Sequence, residues 1–203
     1  MKRIISTEEA MDYAGGTIRR TAVPADHDHF GRVTTPLING SRMPLVRIET
    51  GDILLFRPQV TGLVVHNRDG VKTVLFTMSP KAFEDENWTL PGGGVDPGES
   101  LEDAFRRELA DEELRVDRAY FENLRYVGDF KQPGNSKGDF YGKRHLHVCA
   151  DYVGHPDDLN PDPTEIINTT WASPDDLGSI LITFRNLERA EFTRKLIAHC
   201  LAD

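Results

Sequence analysis

The sequence predicts an α+β fold, a sandwich in which a mixed sheet lies between helices. Three observations carry that prediction. The chain runs through strands, a helix, more strands and a final helix. Residues 62–67 and 71–78 are apolar arms joined by Arg68-Asp69-Gly70, a hairpin signal. Residues 101–113 and 187–201 carry apolar side chains at four-residue spacing, which is helical periodicity.

The elements follow in order. Residues 1–40 are polar and uneven and read as an N-terminal extension or arm, ahead of a domain over 41–203. Such an arm is compatible with a homodimer. Within it, Asp26-His27-Asp28-His29 has ligand chemistry but no second ligand group, and reads as a solvated loop. Leu45-Val46-Arg47-Ile48 is a strand, and Thr50-Gly51-Asp52 a turn. Ile53-Leu54-Leu55-Phe56 is a second strand, which Pro58 closes. In the hairpin after it, His66 is structural or exposed rather than catalytic.

Ser100, with Asp103 three residues on, makes a capping-box start for a helix over 101–113. Leu101, Phe105 and Leu109 form its apolar stripe. A strand follows over 119–130, then a Pro/Gly/Asn/Ser-rich loop over 131–139, the candidate substrate-contacting segment. Residues 144–153 alternate Leu146, Val148 and Ala150 with His145, His147 and Cys149, a strand. Residues 154–163 are a loop, 166–171 a strand, and 174–177 the start of a short helix. The last helix places Phe192, Leu196 and Cys200 on one stripe.

The chemistry is concentrated at residues 88–112. A glycine-rich loop, Trp88-Thr89-Leu90-Pro91-Gly92-Gly93-Gly94, leads into a helix crowded with carboxylates. On an α-helix Glu108, Asp111 and Glu112 project to one side. Like charges at that spacing weaken a helix by ~0.2–0.5 kcal/mol per pair. They also sit in the last turn, where the dipole disfavours anions. A bound cation removes both penalties. Mg²⁺, or Mn²⁺, suits an all-oxygen carboxylate set that also takes substrate phosphates. No Cys or His lies close enough in sequence for a zinc site.

These residues resemble the Nudix box, the signature of the Nudix hydrolases. Its pattern is Gly, five residues, Glu, seven residues, Arg-Glu, an apolar residue, any residue, Glu-Glu, any residue, Gly and an apolar residue. Here it reads Gly93, Glu99, Arg107, Glu108, Leu109, Asp111, Glu112, then Leu114 and Arg115. Asp111 replaces a Glu, Leu114 the closing Gly, and Arg115 an apolar residue. A Gly there permits a left-handed turn, so Leu114 predicts a different exit from the helix. The segment Trp171-Ala172-Ser173-Pro174-Asp175-Asp176-Leu177 also resembles the late strand-to-helix passage of Nudix domains.

The resemblance implies the Nudix fold and cleavage of a diphosphate linkage within a nucleoside diphosphate joined to another group. Nucleotide sugars, ADP-ribose-like compounds and modified nucleoside triphosphates are the implied substrate range. It implies that Glu108, Asp111 and Glu112 ligate Mg²⁺ or Mn²⁺, with the carbonyl of Gly92 or Gly93 as a further ligand. Glu99 and Arg107 would pair and hold loop against helix, and a later carboxylate, nominated as Glu165, would activate water. The alternative is a non-catalytic nucleotide-sensing module.

Charge bounds the partners. With 33 acidic and 24 basic residues the chain carries −9. That disfavours nucleic acid as a partner, and a nucleotide must then be met by metal and local basic side chains. Lys131, Lys143 and Arg144 are the candidate substrate-binding residues, with Arg106 and Lys137 as further candidates. Cys149 and Cys200 make no disulfide framework. Cys149 reads as a small buried hydrophobe. An N-terminus that turns acidic by Glu8-Glu9 predicts neither signal peptide nor membrane span, and a cytoplasmic location.

Overall fold

The computed structural model describes residues 37–38, 41–42, 45–47, 53–83, 86–95, 99–133, 142–184 and 186–202. The Asp26-His27-Asp28-His29 run lies outside them, as do Lys137 and the side chain of Lys131.

The strands are β1 (Leu37–Ile38), β2 (Ser41–Arg42), β3 (Leu45–Arg47), β4 (Ile53–Arg68), β5 (Val71–Met78), β6 (Phe121–Pro133), β7 (Gly142–Tyr152) and β8 (Asn168–Ala172). The helices are α1 (Pro80–Phe83), α2 (Leu101–Phe105), α3 (Leu177–Leu181) and α4 (Leu187–Ala202). β1 and β2 pair with each other. The main sheet has the order β6-β7-β4-β5-β8, with β3 antiparallel on the start of β4. This is the α+β, mixed-sheet architecture expected.

The hairpin closes on two residues. Arg68 pairs with Val71, and Asp69 and Gly70 both take positive φ, 54° and 83°. That is the turn whose twist matches a β-hairpin, and Asp-Gly favours it. Strand β4 differs from expectation. It runs 16 residues, straight through Pro58. Pro58 donates no N–H, but its carbonyl still accepts from Val95 at 3.3 Å, and Gln59 bridges Gly94. Residues 119–120 belong to a 3₁₀ turn, Arg118–Tyr120, rather than to β6, because Asp117 caps the Ala119 N–H.

The chain groups into two compact units. One comprises residues 1–60, 94–104 and 129–146, the other 61–93, 105–128 and 147–203. The second contains a sheet covered on both faces. Leu63, Val65, Val74, Phe76 and Ala172 join Ile180, Leu181, Ala190, Ile197 and Cys200 in one core. Alternation then turns Gly62 and Val64 to the opposite face, where Leu109 and Phe105 pack. A Cβ on Gly62 would lie 2.3 Å from Leu109 Cδ2, so glycine sets how close that helix comes to the sheet.

Cover on both faces explains β7. His145, His147 and Cys149 are as buried as Leu146, Val148 and Ala150. Their alternation separates two covered faces, not core from solvent. His66 is structural, its Nδ1 3.0 Å from the Tyr152 carbonyl. In α4 the fully buried positions are Ala190, Thr193, Ile197 and Cys200. Phe192 and Leu196 flank them, half-buried near Gly128, so the packed face is offset from the expected stripe. Cys149 and Cys200 are free and buried. Among the described residues no helix is long and apolar enough to cross a membrane.

Candidate active site

The helix that carries the carboxylates begins as the sequence predicts. Ser100 Oγ accepts the Asp103 N–H at 3.0 Å, and Ala104 N–H reaches the Ser100 carbonyl at 3.0 Å. After α2 the bonding changes. Residues Arg106–Glu113 form a π-helix. Leu114 N–H bonds the carbonyl of Leu109, five residues back, and Val116 N–H that of Ala110. The expected α-helix over 101–113 is therefore α only to Phe105. The apolar stripe carries the signal: Leu101, Phe105 and Leu109 step by four, and the next fully buried leucine, Leu114, comes five later. Leu114 itself is right-handed, with φ −99°. The left-handed residue is Arg115, φ 51°.

The glycine loop meets this helix closely. Gly62 N–H holds the Pro91 carbonyl at 2.8 Å, which fixes the loop to the sheet. A Cβ on Gly93 would fall 1.8 Å from Glu108 Oε2, so the Glu108 carboxylate rests against bare backbone. Arg107 bonds Glu108 at 2.8 Å and Glu112 at 2.9 Å and stands between them. Gly92 N–H donates to Glu113 Oε2 at 2.8 Å.

Glu113 was not among the candidates from the sequence, yet it meets the glycine loop. Its carboxyl is pushed up to about 8, first by burial. Glu108, Glu165 and Glu112 raise it further, while the Gly92 N–H works the other way. Three carboxylates thus act on Glu113 beside the loop. Asp111 is not among them. It is exposed and held by Arg118 through two nitrogens, with Nε at 2.9 Å from Oδ1. That bond, ahead of the Coulomb effects of Arg118 and Arg107, lowers its pKa.

The loop carrying Glu165 is tied to the helix end. Asn160 N–H donates to Leu114 and Asp162 N–H to Glu113, each at 3.0 Å. Arg115 pairs with the Asp162 carboxylate, which also accepts from the Thr164 N–H and hydroxyl.

The remaining candidates are placed as follows. Glu99 lies in the other compact unit and is half-buried. Arg144 is 4% exposed and bonds Asp129 at 2.6 Å, so its charge is paired inside the fold. Arg106 donates to the carbonyls of Arg118 and Phe121. Lys143 is half-buried on β7.

Oxygen donors of this kind suit a hard divalent ion, and the Glu108 carboxylate rests on the bare backbone at Gly93. Among the described residues no three acidic, imidazole or thiol groups already surround one point. Arg107 instead supplies the positive charge between Glu108 and Glu112.

A model of the NUDIX domain matches residues 56–198. An RNA pyrophosphohydrolase of Erythrobacter litoralis (strain HTCC2594) is 26% identical over 140 residues, 63% of this chain and 82% of the relative. One from Rickettsia peacockii (strain Rustic) is 31% identical over 65% of this chain and 84% of the relative. Among solved structures, a C. elegans Ap4A hydrolase binary complex shares the fold with a TM-score of 0.55 at 21% identity. It covers 72% of this chain and 99% of its own. The NUDIX domain of Shewanella oneidensis NrtR, complexed with ADP ribose, matches with a TM-score of 0.50 at 19% identity, over 69% and 87% of the two chains. With the domain model matched over most of its length and the fold shared, the chain belongs to the NUDIX family.

Proposed function

We propose that the chain is a Mg²⁺- or Mn²⁺-dependent hydrolase that cleaves the diphosphate linkage of a nucleoside diphosphate joined to a second group. The observation that carries this reading is the packing of Glu108 on the bare Gly93 backbone, with Glu112 joined to it through Arg107. The names of the relatives, RNA pyrophosphohydrolase and Ap4A hydrolase, support hydrolysis of a pyrophosphate bond. The −9 charge favours a small nucleotide over RNA.

Glu108, Glu112 and a Gly92 or Gly93 carbonyl would hold the ion. When bound, it neutralises the diphosphate and lowers the pKa of attacking water. The chain's residues supply the rest. Gly93 fixes where the Glu108 carboxylate sits, and Arg107 restrains both carboxylates until substrate and ion enter. Glu165, on the loop docked against the helix end, accepts the proton of the attacking water.

The test is a panel of nucleotide diphosphate derivatives and a 5′-triphosphorylated RNA, each assayed with Mg²⁺ and with Mn²⁺. Glu112→Gln should lose at least ~10²-fold in kcat while its circular dichroism stays unchanged. Full turnover by that variant on every substrate that the wild type accepts would refute the assignment. Saturable nucleotide binding with no product would instead favour the nucleotide-sensing module, a reading that the Arg107 bridge between Glu108 and Glu112 makes worth testing.

A further inference from the structure

We propose that the carboxylate helix contains one inserted residue, absorbed by its π-turn, and that Glu113 rather than Asp111 completes the ion-facing set with Glu108 and Glu112. The proposal rests on the metal-dependent reading above.

The argument is one of rotation. On an α-helix successive residues turn by ~100°, so Asp111 and Glu112 flank Glu108 and Glu113 lies ~140° away. Bonding five residues back widens the turn, and each residue then rotates by ~80°. On that helix Glu112 and Glu113 lie about 40° to either side of Glu108, and Asp111 swings to ~120° away. Single π-turns inside α-helices are rare and fall frequently at functional sites.

The contacts agree with the wide turn. Glu113 Oε2 receives the Gly92 N–H at 2.8 Å, one residue from the Gly93 backbone that Glu108 touches. Arg107 joins Glu108 to Glu112. Asp111 is engaged by Arg118, from the 3₁₀ turn beyond the helix. The helix exit is displaced by the same single residue. The left-handed position falls on Arg115 and not on Leu114. With one residue inserted after Ala110, the Glu-Glu of the signature becomes Glu112-Glu113. Its closing turn becomes Arg115, and its final apolar position becomes Val116.

Mn²⁺ binding to the full-length, metal-free chain tests the proposal directly, by electron paramagnetic resonance and by calorimetry. Glu113→Gln should weaken binding by at least ~10-fold, and Asp111→Asn should leave it within ~3-fold of wild type. Deletion of Asp111 should restore an ordinary helical turn and keep Mn²⁺ binding, which decides the matter even if Glu113→Gln fails to fold. Loss of binding in Asp111→Asn, with Glu113→Gln binding as wild type, would overturn the register. So would loss of binding in a folded Asp111 deletion. Unchanged binding in both Glu108→Gln and Glu112→Gln would mark a different failure, that of the metal-site reading itself, and the register would fall with it.

Discussion

Arg115 takes the left-handed backbone conformation and directs its guanidinium to Asp162, 47 residues later in the chain. The pair joins the end of the carboxylate helix to the loop that bears Glu165. Asp162 also accepts from Thr164, and its own N–H reaches the Glu113 carbonyl. One aspartate therefore fixes both ends of the approach of Glu165.

Asp162→Ala should lower stability only slightly, since it removes a turn cap and a half-exposed ion pair. Its effect on catalysis should be larger, a fall of ~10-fold in kcat with KM little changed, because Glu165 loses its support. Urea denaturation and steady-state kinetics on the same preparation separate the two. Arg115→Gly is the companion. Relief of the left-handed backbone, ~1 kcal/mol, offsets the lost ion pair, so stability should stay within ~1 kcal/mol of wild type.

Glu113 predicts the pH dependence of the metal-free chain. Its carboxyl is raised from 4.5 to about 8 on folding, so at pH 6 the folded state holds a proton that the unfolded state has released. Stability from this group is full below pH about 4.5 and is lost as pH rises toward about 8. The loss should be on the order of a few kcal/mol. Unfolding free energies at pH 5 and pH 8.5 check it, and Glu113→Gln should flatten the difference. A slope of opposite sign in the wild type would contradict the buried, protonated carboxyl.

Gly93→Ala should act as a selective lesion. Its Cβ would stand 1.8 Å from Glu108 Oε2, so Glu108 must leave its place on the loop. Activity should fall by ~10²-fold, in line with a displaced charged group at a reacting centre, while the thermal midpoint moves by only a few degrees. Full activity in Gly93→Ala would remove the significance attached to that contact.

Gly62→Ala should do the reverse and damage the fold first. The methyl group would meet Leu109 Cδ2 at 2.3 Å and Phe105 Cε2 at 3.1 Å. Overpacking of this kind costs ~1–3 kcal/mol and displaces the helix from the sheet. Chemical denaturation measures it, and a midpoint equal to wild type would show that the helix can give way freely.

Much of the architecture was legible because it follows from local rules. Asp69-Gly70 specifies its turn, and Ser100 caps its helix, through chemistry contained in a few residues. The cover over both faces of β7 was not, and with it went the true burial of His145 and His147. The spacing pairs Glu108 with Glu112, and the structure joins them through Arg107. The contact of Glu113 with the glycine loop was not legible, because spacing assumes one helical pitch from start to finish. The change of step from Phe105–Leu109 to Leu109–Leu114 marks where that assumption breaks. The pairing of Arg144 was hidden for another reason: sequence gives a charge but not its partner, here Asp129.

The widened coil after Phe105 also bears on how such chains are recognised. A search string with rigid gaps scores this protein as defective at its last few positions. A string that tolerates one surplus residue inside the coil scores the same letters as intact. The buried leucine that arrives one place late, Leu114, is the sign that the proposed surplus residue leaves in the sequence.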